Sequence, residues 1–380
     1  MDQSLVLVGG GHSHAIALHG WAMQGPPSCH LTLISDVSHA PYSGMMPGHV
    51  AGRYDRQACF IDLQRLCDRV GAQLQIDRAV GLDLPARQVQ LAGGGAVSFD
   101  WLSVNTGSTP DVSPEVRPLL GRSVMAAKPI QAFLAGWDRL LADVTADRLP
   151  AVKLVIVGGG AGGVELALAA QWRLFPRLGD RLSVAVVQRD RVLLPQFDRR
   201  VGDRLRRVLD ERQIRLHLGE TVVNATIIDQ KIGLTRLSCA SGLEIDCDRA
   251  IWATQATAPA WLAASGLATD AQGFITVDDR LQSTSHPYIF AAGDVATMVN
   301  HPRPKSGVFA VRQGLPLARN LKAAIEGRAL QSFYPQKRWL SLINLADDRA
   351  IAVRGSFVFS GRWAWRWKDR IDRQFMQKLQ

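Results

Sequence analysis

Two stretches of the chain share one pattern: LVLVGGGHSHAIAL from Leu5 and LVIVGGGAGGVELAL from Leu154. Each is an apolar run that breaks on three glycines and then resumes. A strand that ends in a glycine turn lets the backbone approach a pyrophosphate closely, and the helix that follows aims free N–H groups and its positive dipole end at that charge. Two copies, each followed by a second strand, predict two dinucleotide-binding units with parallel sheets, an α/β chain of two Rossmann-like domains. The second copy has the full spacing, Gly158, Gly160 and Gly163, whereas the first has Gly9, Gly11 and then His14. The third glycine normally allows tight packing of helix on strand. A histidine there either pushes the helix outward or turns its ring toward the cofactor edge, and the polar pair Ser13 and His14 at a helix start favours the second. A metal on His12 and His14 would need a third ligand that the sequence does not identify, so none is assigned.

The residue that ends the second strand of each unit bears on the nucleotide. In HLTLISDVSHAPYSG, Ser35 takes the usual acidic position and Asp36 follows it, making Asp36 the candidate for ribose hydroxyls. In LSVAVVQRDRV the same point holds Gln188, then Arg189, Asp190 and Arg191. A carboxylate would repel a 2'-phosphate, so Gln188 beside arginines predicts that NADPH is at least tolerated.

With 380 residues, the chain is longer than one core usually serves, and 47% hydrophobic with 21% charged residues suits a folded α/β protein. The five cysteines, Cys29, Cys59, Cys67, Cys239 and Cys247, contain no C-x-x-C, which fits a reducing compartment. Cys59 and Cys67 are read as buried small hydrophobes, with a redox pair as the weaker alternative. The opening MDQS runs straight into a strand and leaves no room for a secretory leader, and no segment reads as a bilayer span. A cytoplasmic protein is expected. The net charge of +10 does not point to nucleic acid, because its distribution is local. Part of the excess lies in DRRVGDRLRRVLDERQIR from Asp198, where Val201, Leu205, Val208 and Leu209 suit an amphipathic helix with a solvated basic face.

Other motifs carry a family likeness. WLSVNTGSTP from Trp101 looks like an ATGS-type turn, and HPYIFAAGDVA from His286 looks like the late segment whose aspartate, here Asp294, holds a ribityl chain. With the two glycine loops, these make the chain resemble the pyridine nucleotide-disulfide oxidoreductase superfamily over nearly its whole length. RAIWATQATAPAWL resembles the turn closing the nicotinamide domain, with Gln255 where glycine is usual. The missing disulfide motif points to the branch resembling type II NADH dehydrogenases and sulfide:quinone reductases. APYSGMMPGHVAG, AAKPI at Ala126 and RPKSGVFAVRQG at Arg303 look closer to the flavoprotein unit fused N-terminally to selenophosphate synthetases. No synthetase follows here, so a stand-alone member or a separated module is expected.

The resemblance implies FAD as cofactor and NAD(P)H as co-substrate. It implies a discontinuous FAD domain over residues 1–110 and 275–330, an NAD(P)H domain over residues 128–258, and an extension over residues 331–380. FAD would be held by Gly9, Gly11, His12, Ser13, His14 and Asp36, by Pro41, Ser43 and Gly44, by Thr106 and Gly107, and by Gly293 and Asp294. NAD(P)H would be held by Gly158, Gly160, Gly163, Gln188 and Arg189. At the reacting centre the resemblance suggests Glu165, with a helix-start acid as the plain alternative. It also suggests Lys128, and Lys305, which matches a lysine beside the flavin pyrimidine in sulfide:quinone reductases. A solvated loop lysine is the alternative for Lys305. The paired glutamines of type II dehydrogenases are replaced by Val308 and Arg312, so the acceptor pocket is altered.

These likenesses predict hydride transfer from NAD(P)H to FAD and electron delivery to a quinone or quinone-like acceptor. A soluble reductase serving selenium or sulfur metabolism is the second reading, and a nucleotide-sensing module that turns over poorly the third. In GRWAWRWKDRIDRQFMQKLQ, residues 361–380, Trp363, Trp365 and Trp367 with Ile371, Phe375 and Leu379 form an apolar stripe flanked by basic residues. That composition suits a helix lying on the cytoplasmic face of a membrane or docked in a homodimer.

Overall fold

The computed structural model describes residues 3–230, 233–254 and 256–380; Gln255 lies outside the described residues. The chain opens with β1 (Ser4–Val8), whose Leu5, Val6, Leu7 and Val8 are almost fully buried. A strand apolar on both faces belongs at the centre of a parallel sheet covered on both sides. After α1 (His12–Gln24) come β2 (His30–Ser35), β3 (Gln73–Ile76) and β4 (Trp101–Val104). β1 pairs in parallel with β2 on one side and β4 on the other, setting Leu5 opposite Leu31 and Trp101.

A second parallel sheet follows. It is built from β5 (Val124–Ala126), β6 (Val152–Val157), β7 (Leu182–Gln188), β8 (Arg215–Leu218) and β9 (Arg249–Trp252), with α2 (Ile130–Thr145), α3 (Ala161–Leu178) and α4 (Arg199–Glu211) between them. Its strand order is β5-β9-β6-β7-β8. The sheet therefore starts at Val124, a few residues before the boundary read from the sequence. In α4 the side chain of Asp198 accepts the N–H of Arg200, and Val201, Leu205, Val208 and Leu209 are the buried residues. The apolar spacing of that segment is the face it buries.

The chain then returns to the first sheet. β10 (Ile289–Ala291) pairs with β4, giving the order β10-β4-β1-β2-β3, and α5 (Gly307–Ile325) packs along α1. The last element group is an antiparallel meander of β11 (Ser341–Asn344), β12 (Ala350–Arg354) and β13 (Phe357–Gly361), followed by α6 (Arg362–Leu379). The fold class is thus α/β with two Rossmann-like sheets and a short α/β extension.

In α6 the stripe read from the sequence is divided: Trp363, Trp367 and Ile371 are exposed, whereas Leu379 is buried together with Ala364, Lys368, Asp372 and Met376, whose polar partners are described below. One sequence expectation changes, that for His14, whose ring does not face a cofactor edge. It is fully buried, with Nδ1 2.7 Å from the carbonyl oxygen of Gly9 and Nε2 2.8 Å from Ser103 Oγ. The second unit explains why. A Cβ at Gly163 would stand 1.9 Å from the Gly158 carbonyl oxygen, so that helix rests on the loop backbone itself. At the matching place in the first unit, an imidazole fills the gap and hydrogen-bonds the equivalent carbonyl. Burial lowers the His14 pKa to about 4, so the ring is neutral. Replacing His14 with Ala removes two buried hydrogen bonds and leaves a void, with an expected loss of about 2–4 kcal/mol in urea unfolding. A loss below about 0.5 kcal/mol would show that the ring carries little of the packing.

Candidate functional site

Both glycine loops turn at a residue that side chains cannot replace. Gly9 has φ +98° and Gly158 φ +115°, and a Cβ on either would meet backbone within 2.6 Å, of Asn105 and Ala253 respectively. The chain at each point passes so close to the neighbouring strand end that only glycine fits. Above the first loop lies a cavity of about 630 Å³, within the range of small-molecule sites. Its walls include Gly9, Gly11, His12, Asp36, Pro41 and Ser43 from the first part of the chain. Thr106, Gly107, Lys128, Asp294 and Lys305 come from later segments. Residues 30 to nearly 300 positions apart thus meet at the C-terminal ends of the first sheet's strands, where open α/β sheets bind ligands.

Other expected residues act behind that wall. Ser13 donates its hydroxyl to the Ala310 carbonyl oxygen at 2.7 Å, joining α1 to α5. Gly293 donates its N–H to Gln313 Oε1 at 2.6 Å. Gly44 is covered by Tyr42, whose hydroxyl a Cβ at Gly44 would approach to 2.7 Å. None of Ser13, His14, Gly44 or Gly293 is among the residues lining this cavity.

Sequence reasoning missed Asn105, the residue that joins these pieces. Its Oδ1 accepts the N–H groups of Ser13 and His14 at 3.0 and 3.2 Å, and its Nδ2 donates to the Ala292 carbonyl oxygen at 2.5 Å. A Cβ at Gly11 would fall 2.2 Å from that Oδ1, and one at Gly293 2.5 Å from the Nδ2. The only signal in the sequence is a polar residue at the end of a buried strand, just before Thr106-Gly107.

Charged side chains from the later segments line the cavity. Asp294 holds the Lys128 ammonium at 2.7 Å, and Ser108 joins the same carboxylate at 3.3 Å. Lys305 is not a solvated loop residue. Its Nζ donates to the Ala296 carbonyl oxygen at 2.6 Å and to Thr297 Oγ1 at 2.8 Å, and lies 3.9 Å from the centre of the Phe274 ring. Burial brings its pKa down to about 8 despite the pull of Asp270 and Asp294. Burial also brings His12 down to about 4, with Asp294 opposing that shift and Lys128 adding to it. His12 Nε2, Thr106 Oγ1 and Ser306 Oγ are buried without a hydrogen-bond partner, and all three residues line the cavity. Buried polar atoms without partners are costly unless a ligand serves them. Together with glycines that admit no side chain, they suit a large polyhydroxylated, phosphate-bearing group.

At the second loop, Gln188 turns inward. Its Oε1 accepts the N–H of Gly159 at 2.8 Å and its Nε2 donates to Asp190 Oδ2 at 2.6 Å. The Gln188 amide is therefore committed to the loop and to Asp190, while Arg189 is exposed beside them. Glu165 is not on the cavity wall either. Its carboxylate accepts the N–H of Asn344 at 2.7 Å, tying α3 to the C-terminal meander. Burial raises its pKa to about 7, against the opposing charge of Lys368.

Residues 3–314 match the pyridine nucleotide-disulphide oxidoreductase family, and the chain belongs to it. It is 27% identical over 339 residues to a probable ferredoxin reductase, CtmF, of Castellaniella defragrans, covering 86% of this chain and 76% of that one. With human ferroptosis suppressor protein 1 the identity is 25%, over 73% of this chain and 71% of that one. In fold, the chain is similar to the sulfide:quinone oxidoreductase of Aquifex aeolicus, with a TM-score of 0.79 at 16% identity, covering all of this chain and 91% of that one. The protein is an FAD-dependent oxidoreductase with NAD(P)H as co-substrate.

A carboxyl group whose folded pKa stands above its unfolded value near 4.5 holds its proton more tightly when folded, so its contribution falls as pH rises between the two values. Glu165→Gln should therefore gain stability relative to the parent protein between pH 5 and pH 8, by about 2 kcal/mol in urea unfolding. An offset that does not change with pH would show that the carboxyl group titrates normally.

Proposed function

We propose that the protein passes electrons from NAD(P)H through FAD to a quinone or quinone-like acceptor, without a thiol relay. The observation that carries this reading is the cavity wall, on which no described cysteine appears. Cys59 and Cys67 are fully buried in the core, and burial pushes both thiols up to about 12, far from the thiolate a redox relay requires. FAD supplies the two-electron chemistry between nicotinamide and acceptor.

This chain's own residues would bind and orient. Gly9 and Gly11 pack the loop backbone against Asn105 and line the cavity where a pyrophosphate would meet the start of α1, with His12 and Thr106 offering their unpartnered atoms and Asp36 a carboxylate for ribose hydroxyls. Pro41, Ser43 and Gly107 complete that wall, and Asp294 adds its ion pair with Lys128 to it. Gly158, Gly160 and Gly163 would do the same for NAD(P)H. Lys305 places an ammonium at the wall that compensates negative charge developing in the cavity. Because its pKa is near 8, that charge is present below pH 8 and lost above it. Acceptor reduction should fall above about pH 8 in the parent protein, and Lys305→Met should be slower at pH 7 and flat across that range. A K305M profile that keeps the same alkaline fall would remove Lys305 from the reaction.

The Gln188–Asp190 contact bears on the nicotinamide. It leaves a fixed carboxylate beside the second loop, which favours a ribose hydroxyl over a 2'-phosphate. Asp190→Ser is expected to raise kcat/KM for NADPH relative to NADH about tenfold. An unchanged ratio would place the ribose elsewhere.

The acceptor is tested by reducing the purified flavoprotein with NADH without oxygen and offering either a short-chain quinone or a [2Fe–2S] ferredoxin. Fast reoxidation by the quinone supports the proposal. Reoxidation by the ferredoxin alone would favour the activity named for the Castellaniella relative.

A further inference from the structure

The C-terminal extension carries an exposed aromatic ladder that the site does not use. Phe357 and Phe359 of β13 are 68% and 51% exposed, and Trp363, Trp367 and Ile371 of α6 are 49%, 43% and 38% exposed. They are contiguous: ring centres lie 6.4 Å apart for Phe357 and Phe359, 5.9 Å for Phe359 and Trp363, and 6.2 Å for Trp363 and Trp367. Isolated exposed apolar residues are ordinary, but a connected aromatic patch marks an interaction surface.

The ladder faces outward because the other side of α6 is fixed. Lys368 Nζ donates to Asp372 Oδ2 at 2.6 Å and to the Gly44 carbonyl oxygen at 2.7 Å, and the Tyr42 hydroxyl donates to Asp372 Oδ1 at 3.0 Å. The pair is 11% and 5% exposed. Rolling the helix to bury the tryptophans would break the bonds to Gly44 and Tyr42 and strip the ion pair of the partners that complete its hydrogen bonding. Beside the ladder, one residue earlier on each turn, run Arg362, Arg366 and Arg370. All three are exposed, and none has a carboxylate partner among the described residues.

We propose that this face docks the protein on an anionic lipid surface, with the aromatic rings at headgroup depth and the three arginines against lipid phosphates. The partner follows from charge. A two-fold contact with a second copy sets the same patch against itself and would bring each arginine row toward its twin, whereas anionic lipid neutralises the row. No helix among the described residues is long and apolar enough to cross a bilayer, so the contact is interfacial. The inference deepens the reading of a quinone-type acceptor, which partitions into lipid, but lipid binding is measured here without any acceptor.

The test is cosedimentation of the flavin-loaded full chain with vesicles of phosphatidylcholine containing 30% phosphatidylglycerol, and with phosphatidylcholine alone, as probes. The parent protein should pellet with the anionic vesicles. Trp363→Ser with Trp367→Ser should weaken that binding at least tenfold, and Arg366→Gln with Arg370→Gln should remove the preference for anionic lipid. Both substitution pairs lie on the exposed face, and an unchanged flavin spectrum and far-ultraviolet dichroism establish that they fold. A parent protein that stays in the supernatant with both vesicles overturns the proposal. So does a W363S/W367S protein that pellets like its parent, or a parent dimer in sedimentation velocity that the same pair converts to monomer.

Discussion

The side-chain amide of Asn105 is the interaction on which the cofactor half depends. It stands at the end of β4, the strand beside β1, and spends its oxygen on two N–H groups in the first turn of α1. Its nitrogen goes to Ala292, at the threshold of the Asp294 segment. A helix start has N–H groups with no partner inside the helix, and a glycine loop has no side chains to supply one. A buried amide with donor and acceptor both satisfied solves that locally and fixes three chain segments at once. It also explains why Gly11 and Gly293 are glycines: the Asn105 side chain occupies the space a Cβ would need.

The two glycine loops solve one packing problem in different ways. In the second, α3 rests on the Gly158 carbonyl through Gly163, and Gln188 caps the loop from the end of β7. In the first, α1 stands on a histidine that hydrogen-bonds the loop carbonyl, and Ser103 supplies the other end of the ring. The spacing of glycines alone suggests a defect in the first loop, but the carbonyl that Gly163 contacts directly has its counterpart satisfied through His14. Strand-end residues show the same inversion. Ser35 folds its hydroxyl back onto Val37 and leaves Asp36 on the cavity wall, while Gln188 turns into its loop and leaves Asp190 and Arg189 at the surface.

What was legible in the sequence is what depends on local periodicity and backbone freedom. The two glycine turns, the fully apolar β1 and the buried stripe of α4 follow from residue type and spacing within a dozen positions. The misread residues are those whose partners lie far away along the chain. His14 is 89 residues from Ser103, and Asn105 is 187 residues from Ala292. No window of sequence contains both members of such a pair. Glu165 shows the same limit from the other side: its place on a helix start was legible, but its partner, the backbone of Asn344, is 179 residues away. Periodicity also cannot tell which of two plausible faces a helix buries when polar partners wait on one of them.

α6 is the case that tests that last point. An apolar stripe of Trp363, Trp367 and Ile371 would win the buried side if hydrophobic area alone decided, since burying a large side chain stabilises by about 1.5–3 kcal/mol. The opposite face wins because Tyr42 and the Gly44 carbonyl lie beneath it, and they complete the hydrogen bonds of an ion pair spaced one helical turn apart. An ion pair buried among unmatched groups would lose more in desolvation than it gains in attraction. Here each charged group has a second partner, which removes that objection and sets the helix rotation. Tyr42 also meets His12 edge-on at 5.3 Å and lies against Phe375 at 4.5 Å with the rings tilted by 35°, so the underside of α6 reaches the cavity wall through one aromatic ring. The same helix thus holds its polar side against the cofactor half and its aromatic side toward the exterior, an arrangement that bulk hydrophobicity would not select.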